Sequence, residues 1–165
     1  MAHHAANAEH PAEKTNAVRL LEAAGVQFEL RTYEVDEDLS AAHVASKLGL
    51  DPDRVFKTIV LTGERTGHFV AIIPGSCEID LKKTARAIGD KSCDLLPLRE
   101  LEPLTGYVRG GCSPLGMKKK LPTLLDETAF LFETISVSAG RRGLQVLISP
   151  RDLCDIVQAR VADLI

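Results

Sequence analysis

Apolar and polar positions follow two different periods along this chain, and the changes of period divide it into elements. Over residues 15–25, Ala17, Leu20, Leu21 and Ala24 recur at helical spacing. Thr15 is suited to the N-cap and Gly25 to the C-cap of that helix. From Phe28 to Tyr33 the pattern begins as apolar/polar alternation and predicts a half-buried strand. Ser40 then opens a helix over 41–48, closed by Gly49. Strands are predicted over 55–61 and 68–73, joined through 63–67 as a hairpin. Asp80 caps a helix over 81–88 that ends at Gly89, and a Pro-marked stretch predicts a short helix over 97–104. Short strands follow at 123–125, 134–138 and 144–148. Ser149 and Pro150 suit the start of a last helix, with Leu153, Ile156, Val157, Val161 and Leu164 on its apolar face.

Helices and strands mix here without a steady βαβ alternation. That predicts an α+β fold: a single domain over 15–165, with a mixed, mostly antiparallel sheet or barrel surrounded by helices. Residues 1–14, which carry His3, His4 and His10, read as a disordered leader. The leader has no basic segment running into an apolar one, so it is not a secretory signal. No apolar run approaches the roughly 20 residues that span a bilayer. The four cysteines (Cys77, Cys93, Cys112, Cys154) lie far apart without C-x-x-C spacing, which points to a reduced, cytoplasmic protein and to no metal site. With 20 basic and 23 acidic residues the net charge is −3. That excludes a uniformly polycationic surface but leaves room for a local basic patch.

Three segments carry candidate chemistry. Lys57 shares a strand face with the apolar Val55, Ile59 and Leu61. A lysine in that register either snorkels to a solvated edge or stands at the floor of a cleft, holding a phosphate or a polarised carbonyl. The segment from Gly106 to Gly116 has four glycines in eleven positions, which permit positive φ and close backbone approach. Exposed N–H groups in such a turn bind an anion or a carbonyl oxygen. It is not a phosphate-binding P-loop: Met117 stands where that motif needs lysine, and Lys118 where it needs a hydroxyl. In the third segment, 137–143, Ser138 ends a strand on its polar face beside Arg141 and Arg142, which also suits a plain solvated hairpin tip. Cys112, inside the glycine loop, is either a small packing residue or a thiol nucleophile, and no sequence neighbour supplies it with a base.

Together, Val55-Phe56-Lys57-Thr58, Gly106-Tyr107-Val108-x-Gly110-Gly111-x-Ser113-Pro114-Leu115-Gly116-x-Lys118-Lys119 and Val137-Ser138-x-Gly140-x-Arg142-Gly143-Leu144 resemble the YbaK/EbsC family. That family belongs to the prolyl-tRNA editing domain superfamily. The resemblance runs from about Thr15 over nearly the whole chain. It implies an enzyme without cofactor that hydrolyses cysteinyl-tRNA(Pro) in trans, the alternatives being the same fold editing another mischarged tRNA such as alanyl-tRNA(Pro), or a non-catalytic module that binds the tRNA end. Its implied partners are the tRNA(Pro) acceptor end and prolyl-tRNA synthetase. It further implies catalytic roles for Lys57, Gly110, Gly111 and Ser138, and substrate binding by Tyr33, Ser113, Pro114, Lys118, Gly140, Arg142 and Gln145. At Gln145 the best-known members carry an aspartate. In the implied mechanism the substrate's own thiol attacks its ester, so the protein supplies placement and carbonyl polarisation. Arg109, Lys118, Lys119, Lys120, Arg141 and Arg142 then form a local cationic rim for the RNA end, or solvated faces.

Overall fold

The computed structural model of the protein describes residues 14–165. The expected leader falls outside the described residues except for Lys14, whose ammonium pairs with Glu22 Oε1 at 2.8 Å. The helices begin and end where capping chemistry dictates. In α1 (Asn16–Ala24) Thr15 accepts from the Val18 N–H, in α2 (Ala41–Leu48) Ser40 accepts from His43, and in α3 (Leu81–Ile88) Asp80 accepts from Lys83. Each of the three ends at a glycine in the left-handed region. The predicted short helix resolves into a 3-10 turn over Leu98–Glu100 and α4 (Leu101–Thr105).

The strands are β1 (Phe28–Thr32), β2 (Phe56–Gly63), β3 (Gly67–Pro74), β4 (Cys93–Leu95), β5 (Thr123–Asp126), β6 (Ile135–Arg141), β7 (Leu144–Ile148) and β8 (Arg160–Ala162). They form two open sheets, ordered β1-β7-β6 and β4-β2-β3-β5-β8, rather than the closed barrel that the pattern also allowed. Pairing is antiparallel except for β3 with β5 and β5 with β8. One isolated bridge, Val55 to Ser136, stitches the sheets together. The α+β expectation holds, with mostly antiparallel pairing.

The main core lies between the sheets, where Leu30, Phe56, Val60, Ile72, Ile135, Val146 and Ile148 pack with Leu21 of α1 and Leu153 of α5 (Pro150–Val157). The opposite face of β2–β3 buries Leu61, Phe69, Ala71 and Ile73 under Ala85 of α3. Because both faces are covered, residues 69–73 read as an unbroken apolar run instead of alternating. Each large fully buried side chain among them, such as Phe69 or Ile72, contributes about 1.5–3 kcal/mol.

The end of the chain departs from the pattern. Gln158 turns to φ 54° and its N–H bonds the Cys154 carbonyl, which terminates α5. Val161 therefore lies on β8 and is exposed. Leu164 is fully buried in the second core, held by its N–H to Asp126 Oδ1 at 2.8 Å. Periodicity alone had continued the helix through both.

Candidate functional site

Where the start of β2 meets the β6–β7 hairpin and the start of α2, the structure encloses a cleft of about 620 Å³. Its floor is Phe56, Lys57, Thr58 and Ile59 of β2, and one wall is Ser138 and Gln145, which face each other in the β6–β7 register. Arg109, Gly110 and Cys112 of the glycine loop form a second wall. Tyr33 and the segment Glu37-Asp38-Leu39-Ser40 close the third, with Val44 of α2 behind it.

The cleft therefore brings together Lys57, Gly110, Ser138, Tyr33 and Gln145 of the sequence-derived set. Lys57 is half-buried and has no ion pair or hydrogen bond with another described residue. A cation so placed is available to an anionic or carbonyl ligand. Gly110 sits at φ 83°. Its N–H has no backbone acceptor among the described residues, whereas the Gly111 N–H donates to the Val108 carbonyl at 3.0 Å. Gly111 is required for packing: a Cβ there would come within 2.9 Å of Arg141 Cα and Arg142 N. So Gly110 offers a free donor, and Gly111 lets the loop lie against the hairpin tip.

The remaining predicted residues do not line the cleft. Ser113 is fully buried and accepts from the Leu115 N–H, and Pro114 is buried beside it. Gly140 donates from its N–H to Ser138 Oγ at 3.2 Å, which fixes the end of β6. Arg142 Nε donates to the Arg109 carbonyl. Lys118 is exposed, with its backbone N–H on the Thr105 carbonyl. Lys120 is also exposed and reaches Gln158 Oε1 at 2.5 Å. Of the expected cationic rim, only Arg109 lines the cleft.

Sequence reasoning missed the acidic rim. Glu37 and Asp38 line the same cleft as the basic Lys57 and Arg109. The rim is anchored to α2: Asp36 Oδ2 lies 2.8 Å from both His43 Nε2 and Lys47 Nζ, and Lys47 also bonds the Glu34 carbonyl. Asp38 Oδ1 accepts from the Ser40 N–H. These bonds hold both carboxyls below the usual range, Asp36 through Lys47 first and Asp38 through the Ser40 N–H first. An acidic run just before a serine N-cap was the available signal.

Cys112 is a poor nucleophile. Burial pushes its thiol up to about 11, so at neutral pH it stays protonated. Neither His43, held at Asp36, nor His68, whose Nδ1 lies 2.9 Å from Thr62 Oγ1, lines the cleft. No group of three or more His, Cys, Asp or Glu among the described residues could hold a metal ion. No helix among them is long and apolar enough to cross a membrane.

Among the described residues the cleft thus has a free cation, an unpaired backbone donor and no activated side-chain nucleophile, set in a two-sheet α+β frame. The chain belongs to the aminoacyl-tRNA editing domain family, whose pattern matches residues 37–156. It is 46% identical to EbsC of Enterococcus faecalis, over 92% of this chain and 93% of that protein. EbsC is provisionally named a Cys-tRNA(Pro)/Cys-tRNA(Cys) deacylase. A stretch of 100 residues, 61% of this chain but 17% of the relative, is 29% identical to a proline–tRNA ligase of Pelobacter propionicus. Among solved structures, one described provisionally as a trans-editing enzyme for prolyl tRNA synthetase superposes with a TM-score of 0.79 at 25% identity. That match covers 93% of this chain and 98% of the other. The motif resemblance to the YbaK/EbsC family is thus borne out, and the chain is an editing hydrolase acting on aminoacyl-tRNA.

Proposed function

We propose that the chain edits cysteinyl-tRNA(Pro) in trans, by cleavage that the substrate's own thiol carries out. The carrying observation is the cleft itself. It offers donors for an ester carbonyl and a cation for the nucleotide, while its cysteine is held as a neutral thiol. The substrate sulfur loses its proton and forms a bond to its own ester carbonyl carbon. The bond from that carbon to the terminal ribose oxygen breaks, and the oxygen takes up a proton. Cysteine leaves as a cyclic thiolactone, and free tRNA remains.

In this reading the Gly110 N–H polarises the carbonyl, Lys57 holds the terminal adenosine or its phosphate, and Ser138 hydrogen-bonds beside them. Gly111 acts by shaping the loop. Tyr33 and Gln145 bound the aminoacyl group. The tRNA(Pro) acceptor end and prolyl-tRNA synthetase are the partners, because a proline pocket rejects a residue of similar size poorly. The ligase relative and the structural match support that pairing.

The test is a deacylation panel on cysteinyl-, seryl- and alanyl-tRNA(Pro). Cysteinyl-tRNA should be cleaved at least about 100-fold faster than the seryl form, whose hydroxyl is far less nucleophilic than a thiolate. Equal rates on the two would end the substrate-thiol mechanism. No turnover of the cysteinyl form would end the substrate assignment.

A further inference from the structure

Gln145 is 6% exposed and lies on the cleft wall, yet the amide uses only one end inside the protein. Its Oε1 accepts from Ser136 Oγ at 2.7 Å, and Ser136 is fully buried. The Nε2 group has no partner among the described residues and is not shut away from solvent, so it opens onto the cleft. Ser136 and Ser138 point from the same face of β6, two residues apart, with Gln145 opposite Ser138 in the register.

The direction of this bond is fixed by chemistry. The Ser136 hydroxyl has no other hydrogen bond among the described residues. If the amide were reversed, Nε2 would donate to Ser136 Oγ, and the hydroxyl proton would be left buried without an acceptor. That penalty locks Oε1 inward and NH2 outward. An amide on a solvent-facing site would otherwise present either end.

We infer that Ser136 is a positioning residue that sets Gln145 as a hydrogen-bond donor, and that Gln145 reads an acceptor oxygen of the terminal aminoacyl-ribose. This rests on the function proposed above and deepens it. The amide joins the Lys57 ammonium, the Gly110 N–H and the Ser138 hydroxyl as a further donor lining the cleft. Such a set suits the oxygens of an ester and a ribose.

The experiment is a double-mutant cycle on kcat/KM for cysteinyl-tRNA(Pro), with melting temperature followed in parallel. Gln145→Ala should lose about tenfold, the worth of one donor hydrogen bond. Gln145→Glu, which keeps the size and removes the donor, should lose at least as much. Ser136→Ala should lose several-fold, and the Ser136→Ala/Gln145→Ala pair should be no worse than Gln145→Ala alone. Additive losses would overturn the positioning role, because Ser136 would then act through packing and not through the amide. Full activity of Gln145→Glu would overturn the donor role. Absence of turnover by the unmodified protein would overturn the function reading, and this assignment with it. Turnover with additive losses removes this assignment alone.

Discussion

Arg142 Nε donates to the backbone carbonyl of Arg109 across 2.8 Å, and by this bond the tip of the β6–β7 hairpin holds the glycine loop. Gly110 sits directly under the strap, since a Cβ there would lie 3.2 Å from Arg142 Nε. Arg142 therefore acts on the cleft without lining it. Its conformation sets where the free Gly110 N–H points.

Arg142→Ala should accordingly cost activity more than stability. The bond is exposed, so its loss should cost only about 1 kcal/mol of folding free energy. A shift of the Gly110 donor by a fraction of an ångström should lower kcat/KM about tenfold, mainly in kcat. Steady-state deacylation and thermal unfolding of the variant check both halves. An unchanged kcat would mean that the loop keeps its place without the strap.

Lys57 gives the opposite separation. Its ammonium has no ion pair or hydrogen bond with a described residue, so Lys57→Ala should change stability by at most about 1 kcal/mol. Loss of the cation should nevertheless lower kcat/KM about 100-fold, roughly 2.7 kcal/mol of transition-state stabilisation. Lys57→Arg keeps the charge but not the compact shape, and should recover part of it. Wild-type turnover by a folded Lys57→Ala protein would remove this residue from the site.

These cases show what could be read from the chain alone. The caps at Thr15, Ser40 and Asp80 and their closing glycines are local chemistry, so α1, α2 and α3 stand where the pattern put them. The three-residue strands β4 and β8 carry no pattern of their own and exist because β2 and β5 offer them an edge. At the site, Lys57 was legible from its apolar strand register, and its meeting with Ser138 and Gln145 came with the family resemblance. The acidic rim was not legible, because the segment that carries Glu37 and Asp38 is tied to α2 by Asp36 with His43 and Lys47 and by Asp38 with the Ser40 N–H. Arg142 shows the other limit: sequence marked the residue but not that its guanidinium is spent on a carbonyl.

The acidic rim should loosen in acid. Asp36 is held below its ordinary value of 3.8, chiefly by Lys47, so its contribution is present above about pH 4 and is lost as the pH falls below that. Asp36→Asn removes the charge that binds Lys47 and His43 at every pH. Hydrogen exchange over residues 34–40 should rise in the variant at neutral pH, and KM should increase about two- to threefold through the displaced rim. Unchanged exchange in the variant would mean that Asp38 and Ser40 hold the segment without Asp36.

Cys112 offers a test at the alkaline end that also bears on the chemistry. Folding raises its thiol from 9.0 to about 11, with burial as the main cause, so the native state holds this proton more tightly than the unfolded chain does. The stability that this contributes is complete below about pH 9 and drains away as the pH rises to about 11, roughly 3 kcal/mol in all. Cys112→Ala removes that slope. At pH 7 the variant should be about 1 kcal/mol less stable, from lost packing, and the gap should close or reverse above pH 10. Cys93 and Cys154 are raised by burial in both proteins, and Tyr107, pushed up to about 12 by burial first and by Cys112 second, titrates above this range, so below about pH 11 the difference between the two curves reports Cys112. Denaturant unfolding at a series of pH values gives that difference. Deacylation at neutral pH should remain within about threefold of the unmodified protein. Abolished turnover in a folded Cys112→Ala protein would instead make this thiol the nucleophile and would displace the substrate's own.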